Sequence, residues 1–345
     1  MTVKEVFPTK KPTKKAKKIL LSALAVIAAT AVIVSVIIID KRKEEYPSDT
    51  KNSVAMGTIV TVKVYGEKAA AHTDSISKMV SSVENVISRK IDSSPVSVLN
   101  KTGKADNEMV SSLLETCNGV SKDSGGVFDV SIGKVSLLWD FDSEKNVVPD
   151  EQDIKAALKT VDYTKIQLDG STVSVGENQQ IDLGAVGKGY ACDVIKAYLK
   201  EAGADGAVVS VGGSIVAYGK RNDNGDKWRI AVRDPDNESG YIGTIRLHEG
   251  FVSTSGDYEK YFEKDGKRYH HILNAKTGYP AESDLRSVTV VCDSGALSDA
   301  LSTACFILGK EKSQTLLEKY GASAVFIDKD GNITTFGDIE FEKAK

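Results

Sequence analysis

The sequence predicts a mixed α/β (α+β) fold: one compact soluble domain behind an N-terminal transmembrane helix. Three observations predict it. Strand-like and helix-like segments alternate irregularly from residue 58 to the C-terminus, as mixed architectures require. No internal repeat recurs at a period of about 20–50 residues, which excludes a solenoid. The 345 residues are 41% hydrophobic and 27% charged, a composition that can bury a core.

The elements follow in order. Residues 1–39 carry seven lysines and one glutamate, a charge of +6, against −3 for the whole chain, which leaves −9 on the rest. An acidic domain argues against nucleic acid as a partner. Ile19–Ile39 is a run of 21 residues without a charge, long enough at about 1.5 Å per residue to cross a bilayer core of about 30 Å. Lys10, Lys11, Lys14, Lys15, Lys17 and Lys18 precede it. They predict a cytoplasmic basic tail at 1–18, an uncleaved signal anchor at 19–39 and a domain on the extracytoplasmic face of the cell membrane. Lys41, Arg42 and Lys43 act against this orientation, with Asp40, Glu44 and Glu45 among them. A signal peptide cut after Ala29-Thr30-Ala31 is the rival reading, but the apolar run is longer than the usual ~7–15 residues of such a segment. Residues 40–52 read as a linker, and 53–340 as the domain.

Thr58–Tyr65 alternates Val60, Val62 and Val64 against Ile59, Thr61, Lys63 and Tyr65, a strand pattern. Helical spacing runs over 69–91 through Ile76, Met79, Val80, Val83, Val86 and Ile87. A second helix is predicted over 107–124. Two short strands should flank Asp169-Gly170, followed by a helix over 187–202 and a buried strand over 207–211. Further strands are expected at 229–232, 244–246, 250–254, 286–291 and 324–327, and helices at 295–308 and 312–320. Asp293 and Ser294 are candidate N-caps for the helix at 295. Cys117, Cys192, Cys292 and Cys305 form no C-x-x-C pair, so a zinc cluster is not indicated, and they read as buried free thiols or a disulfide.

Two stretches carry chemistry. In Ser298-Asp299-Ala300-Leu301-Ser302-Thr303, Asp299 and Thr303 stand one helical turn apart. A carboxylate and a hydroxyl so placed suit a hard cation such as Mg²⁺, although Asp299 could equally cap a helix while Thr303 packs. Asp182-Leu183-Gly184-Ala185-Val186-Gly187-Lys188-Gly189-Tyr190 supplies glycines, backbone groups and a lysine, the materials that hold phosphates. The plainer alternative is a turn into a helix with Lys188 solvated. His271 is the candidate proton acceptor, with a structural histidine as the alternative.

These blocks resemble, in order, those of the ApbE family, the FAD:protein FMN transferases. Gly125-Gly126-Val127-Phe128-Asp129, Val211-Gly212-Gly213-Ser214, Trp228–Pro235, Ser253-Thr254-Ser255-Gly256-Asp257-Tyr258 and His270-His271-Ile272-Leu273-Asn274-Ala275-Lys276-Thr277-Gly278-Tyr279-Pro280 complete the set, covering roughly residues 50–340. The resemblance implies a T-fold-like domain with FAD as substrate and Mg²⁺ as cofactor. It implies transfer of FMN from FAD to a Thr or Ser hydroxyl of an extracytoplasmic acceptor protein with a Ser-Gly-Ala-Thr-like motif, releasing AMP. It assigns the metal to the Ala185 carbonyl, Asp299 and Thr303, with Ser302 assisting. FAD contacts map onto Met56, Val127, Phe128, Asp129 and Asp182, with the pyrophosphate on Lys188, and Ser255, Gly256, Tyr258 and Ile272 line the pocket. Phe128, Met56 and Tyr258 have ordinary packing as their alternative.

The chain departs from the family pattern at Asn274-Ala275, Lys90 and Ser214. Asp293-Ser294-Gly295-Ala296 resembles the acceptor motif, but Leu297 stands where the hydroxyl would be, so no self-modification is expected. An Mg²⁺-dependent FAD pyrophosphatase is the nearest alternative function, and a non-enzymatic FAD-binding surface flavoprotein the second.

Overall fold

The structure is a computed structural model and describes residues 46–143, 145–221, 226–237 and 239–344. The basic tail and the transmembrane segment lie outside the described residues. Among those described, no helix is long and apolar enough to cross a membrane.

In chain order the strands and helices are β1 (Ser48–Ala55), β2 (Thr58–Tyr65), α1 (Ala69–Ile87), α2 (Pro95–Thr102), β3 (Lys104–Asp106), α3 (Glu108–Asp123), α4 (Gly133–Trp139), α5 (Glu151–Leu158), β4 (Gln167–Asp169), β5 (Thr172–Ser174), α6 (Gly187–Glu201), β6 (Gly206–Val211), β7 (Ser214–Gly219), β8 (Trp228–Arg233), β9 (Tyr241–Leu247), β10 (Gly250–Gly256), β11 (Tyr261–Lys264), β12 (Lys267–His270), β13 (Leu285–Cys292), α7 (Gly295–Leu308), α8 (Lys310–Lys319), β14 (Ser323–Asp328), β15 (Ile333–Phe336) and β16 (Glu340–Lys343).

The centre is an eight-stranded sheet of order β1-β2-β6-β7-β10-β13-β14-β15. Every neighbouring pair in it is antiparallel, so the mixed fold is of the α+β kind rather than built from βαβ units. Period-two alternation gives the sheet two faces. Val60, Val62, Val64, Val209 and Val211 pack beneath α1 and α6. Val208, Ile215, Val252 and Val325 face Trp228, Ile230 and Ile245 of a smaller sheet, β16-β9-β8. A third core under α3, α7 and α8 joins the loops around Phe128 and Leu183 to the sheet.

The expected linker 40–52 is corrected over its second half. Ser48–Asn52 belongs to β1, paired in register with β2 from Ser48↔Tyr65 to Ala55↔Thr58. Only Ala55 of β1 is buried, so the strand has almost no hydrophobic pattern to read. Its turn is Met56-Gly57, both at positive φ, +53° and +67°. A non-glycine residue at such an angle is uncommon, and here it aims the Met56 thioether at the start of α6. A Cβ placed on Gly187 would stand 3.2 Å from Met56 Cε.

α7 is buried nearly all round, unlike a surface helix with one apolar stripe. Ser294 caps it, accepting the Leu297 N–H at 3.4 Å. Asp193 of α6 adds a second cap, accepting the N–H groups of Gly295 and Ala296, both at 2.7 Å. The four cysteines are free and buried.

Candidate active site at a helix crossing

The sequence 182–189 turns from a loop into α6, whose first turn has no side-chain cap of its own. A helix start leaves N–H groups without partners inside the helix. One of them, on Gly189, donates to Asp299 Oδ2 on α7 at 2.6 Å. In an uninterrupted helix that N–H would close on the carbonyl of Ala185, four residues earlier. The other oxygen, Oδ1, accepts the Ser214 hydroxyl at 2.5 Å. Asp299 and Ser214 are 5% and 1% exposed, so this carboxylate is fixed from two sides in a nearly dry environment.

Thr303, one turn along α7, is half-buried with its Oγ1 3.3 Å from Ser255 Oγ. Ser302 bonds back to the Asp299 carbonyl at 2.9 Å and lies 2.8 Å from Ser255 Oγ, so its hydroxyl serves the helix. Among the described residues no group of three or more His, Cys, Asp or Glu side chains could hold a metal. A cation held here would take one carboxylate, a hydroxyl, the Ala185 carbonyl and oxygens of its ligand. That donor set is all oxygen and suits Mg²⁺, which keeps few protein ligands.

Lys188 is half-buried on the first turn of α6 and directly precedes Gly189, whose N–H binds this carboxylate. Its charge reaches His271. Burial, then the ammonium groups of Lys188 and Lys260, hold the His271 imidazole down at about 3, so the ring is neutral near pH 7. Its Nδ1 is buried without a partner. Its backbone N–H donates to the Lys260 carbonyl at 2.9 Å, closing the base of the β11–β12 hairpin. His270 is committed elsewhere: Nε2 lies 3.1 Å from the Ala281 carbonyl and the ring meets Phe306 edge-on.

The remaining predicted residues divide in two. Met56 and Asp182 stand at the loop that opens α6. Asp182 accepts the Gly184 N–H at 2.9 Å and lies 3.5 Å from Arg89 Nε. Val127, through its carbonyl, binds the Ala275 N–H at 3.0 Å and ties the 125–131 loop to the loop after His271. Phe128, Asp129 and Ile272 are buried. The Asp129 carboxylate accepts the Ser131 N–H and hydroxyl at 2.8 and 2.7 Å and the Tyr163 N–H at 2.9 Å. These bonds tie the turn at Asp129 to the segment at Tyr163. Tyr258 folds back over Gly256, where a Cβ would sit 2.5 Å from its ring, and carries the Arg233 guanidinium 5.2 Å from the ring centroid. Burial pushes its phenol up, so it stays neutral.

Sequence reasoning missed Asp193, Arg89 and the bond from Ser214 to Asp299. It also missed Asp142, whose two oxygens accept Lys90 and Lys260, both at 2.7 Å. For Ser214 a signal existed, its place directly after a Gly-Gly pair. The others follow only from tertiary contacts.

Sheet and crossed helices together define a mixed α/β protein with a lysine and a buried carboxylate on facing helices. Comparison with known proteins says which class this is. The chain belongs to the ApbE family, whose sequence model matches residues 56–327. A relative from Treponema pallidum (strain Nichols), named FAD:protein FMN transferase, is 33% identical over 320 residues, 85% of this chain and 87% of the relative. One of the same name from Klebsiella pneumoniae (strain 342) is 30% identical over 291 residues, 82% of this chain and 90% of the relative. Among solved structures, the ApbE protein of Thermotoga maritima superposes with a TM-score of 0.78 at 31% identity, covering 84% of this chain and 97% of that one. The Pseudomonas stutzeri flavinyl transferase ApbE gives 0.72 at 28% identity, covering 87% and 95%.

Proposed function

We propose that this chain is an Mg²⁺-dependent FAD:protein FMN transferase acting outside the cytoplasmic membrane on a Thr or Ser hydroxyl of an acceptor protein. The observation that carries the reading is the Asp299 carboxylate held at the start of the lysine-bearing helix by the Gly189 N–H. The names of the relatives support FAD as donor and a protein as acceptor. The basic tail and apolar 21-residue run support the compartment.

Asp299, the Thr303 hydroxyl and the Ala185 carbonyl would hold Mg²⁺, which supplies positive charge against phosphoryl oxygens. Lys188 binds the pyrophosphate of FAD and opposes the charge that develops on the leaving phosphate. Met56, Val127, Phe128, Asp129 and Asp182 hold the flavin half, with Ser255, Gly256, Tyr258 and Ile272 shaping the wall. With Nδ1 buried, His271 works through Nε2 and takes the proton of the acceptor hydroxyl. The hydroxyl oxygen forms a bond to the FMN phosphorus, the pyrophosphate P–O bond breaks, and AMP leaves. A low starting basicity suits this role only when substrate phosphates draw the proton in, which ties proton transfer to a loaded site.

The test uses the full chain in detergent with FAD, Mg²⁺ and a protein carrying a Ser-Gly-Ala-Thr segment. An acceptor mass increased by one FMN less water, lost on adding EDTA, is the expected result. Free FMN and AMP with unmodified acceptor would replace the reading with a pyrophosphatase. Intact bound FAD and no product would replace it with a flavin carrier.

A further inference from the structure

We propose that Ser214 is the positioning residue of Asp299, setting the carboxylate for the cation; the inference rests on the metal reading above. β6 and β7 pair Val211 with Ser214, so Gly212-Gly213 is a two-residue turn, with Gly212 at φ +61°. That turn delivers Ser214 as the first residue of β7, at the rim of the sheet facing α7. Across the sheet Ser214 is in register with Ser253 of β10.

These two neighbouring hydroxyls take consecutive residues of the helix. Ser253 Oγ lies 2.7 Å from Ser298 Oγ, and Ser214 Oγ donates to Asp299 Oδ1 at 2.5 Å. Ser255, two residues along the same face of β10, lies 2.8 Å from Ser302 and 3.3 Å from Thr303. Strand period two and helix steps of four thus mesh as a ladder of hydroxyls. It fixes the height and rotation of α7 on the sheet.

Only the Ser214 rung touches the carboxylate. An ionised carboxylate is acceptor-only, with about four lone-pair sites over two oxygens. Ser214 and Gly189 fill one on each oxygen, orient the group, and leave further sites for a cation. Partners of this kind, one step behind a metal ligand, are typically worth 10- to 100-fold in metal affinity.

The probe is Mn²⁺, titrated against the full-length protein in detergent with saturating AMP and read by the electron paramagnetic resonance of free Mn²⁺. Ser214→Ala should raise the dissociation constant about tenfold or more. The Mg²⁺ concentration for half-maximal transfer should rise by the same factor, and Ser214→Thr should restore both. Wild-type Mn²⁺ binding in Ser214→Ala, with Asp299→Ala unable to bind, would overturn the positioning role and leave the metal site standing. Wild-type binding in Asp299→Ala would overturn the metal reading and this inference with it. If circular dichroism shows Ser214→Ala unfolded, Ser214→Cys, of similar volume and a much weaker donor, answers the same question. Unchanged binding there overturns the proposal.

Discussion

Gly189 and Gly295 meet backbone to backbone where α6 crosses α7. A Cβ on Gly189 would stand 2.0 Å from the Gly295 carbonyl oxygen, and one on Gly295 would stand 2.1 Å from the Gly189 carbonyl oxygen. The contact lets the Gly189 N–H, next to Lys188 in the chain, reach Asp299, one turn from Gly295. Gly189→Ala should therefore destabilise the protein by about 1–3 kcal/mol or more, because the neighbour is main chain and cannot move aside. Thermal unfolding checks this; an unchanged melting temperature would refute the close crossing.

Asp299→Ala should reduce FMN transfer at least about 100-fold and abolish its response to added Mg²⁺. The same change strands the Ser214 hydroxyl and the Gly189 N–H, at a cost of about 1–3 kcal/mol for a buried unpaired group. Acceptor mass and melting temperature measure the two effects on the same sample. Transfer at the wild-type rate would remove Asp299 from the machinery.

Lys188→Ala should slow transfer roughly 100-fold if its charge offsets that of the leaving phosphate. It should also raise the His271 pKa, since that ammonium helps hold it at about 3. The C2–H resonance of His271, followed against pH, reads the second effect without turnover. A titration identical to that of the wild type would place Lys188 away from the imidazole.

His271 also predicts how stability follows pH. Its folded-state value of about 3 lies below the ordinary 6.5. Between these limits the unfolded chain holds a proton that the folded chain excludes, so this contribution is complete above pH 6.5 and is lost as pH falls toward 3. The slope is at most about 1.4 kcal/mol per pH unit for one group. Denaturant unfolding of wild type and His271→Gln over this window should show the variant losing less stability on acidification.

All four cysteines are buried, and burial pushes the Cys292 and Cys305 thiols up to about 12. Ellman's reagent should find no fast-reacting thiol in the native protein and four after unfolding, because the thiolate is the reactive form. A rapid native reaction would mean that one of the sites opens.

Much of the fold was legible where apolar residues are dense enough to mark an element. Thr58–Tyr65 and Gly295–Leu308 match their sequence-based limits, and the helix expected over 69–91 ends four residues early, where Ser88 turns extended. β1 was not legible because its residues are mostly polar and half-exposed, with their pairing to β2 carrying the strand. α4 was missed because seven residues make too short a window for periodicity. In the candidate site, Lys188, Asp299 and Thr303 stood out by residue type and spacing. Asp193 did not, since a cap delivered across the fold has no local pattern, and Ser214 was marked only by its place after a Gly-Gly pair. The turn bonds of the Asp129 carboxylate were likewise not legible, since the Tyr163 N–H it accepts is 34 residues away.

The hairpin that joins β1 to β2 is not tuned for its own stability. Two-residue turns with both angles positive favour Asn-Gly, whereas this one places Met56 at φ +53°. A left-handed angle costs an ordinary L-residue about 1–2 kcal/mol. Met56→Asn would relieve part of that strain and withdraw the thioether from Gly187. The turn is thus a small reserve of conformational energy exchanged for a side chain packed at the mouth of α6.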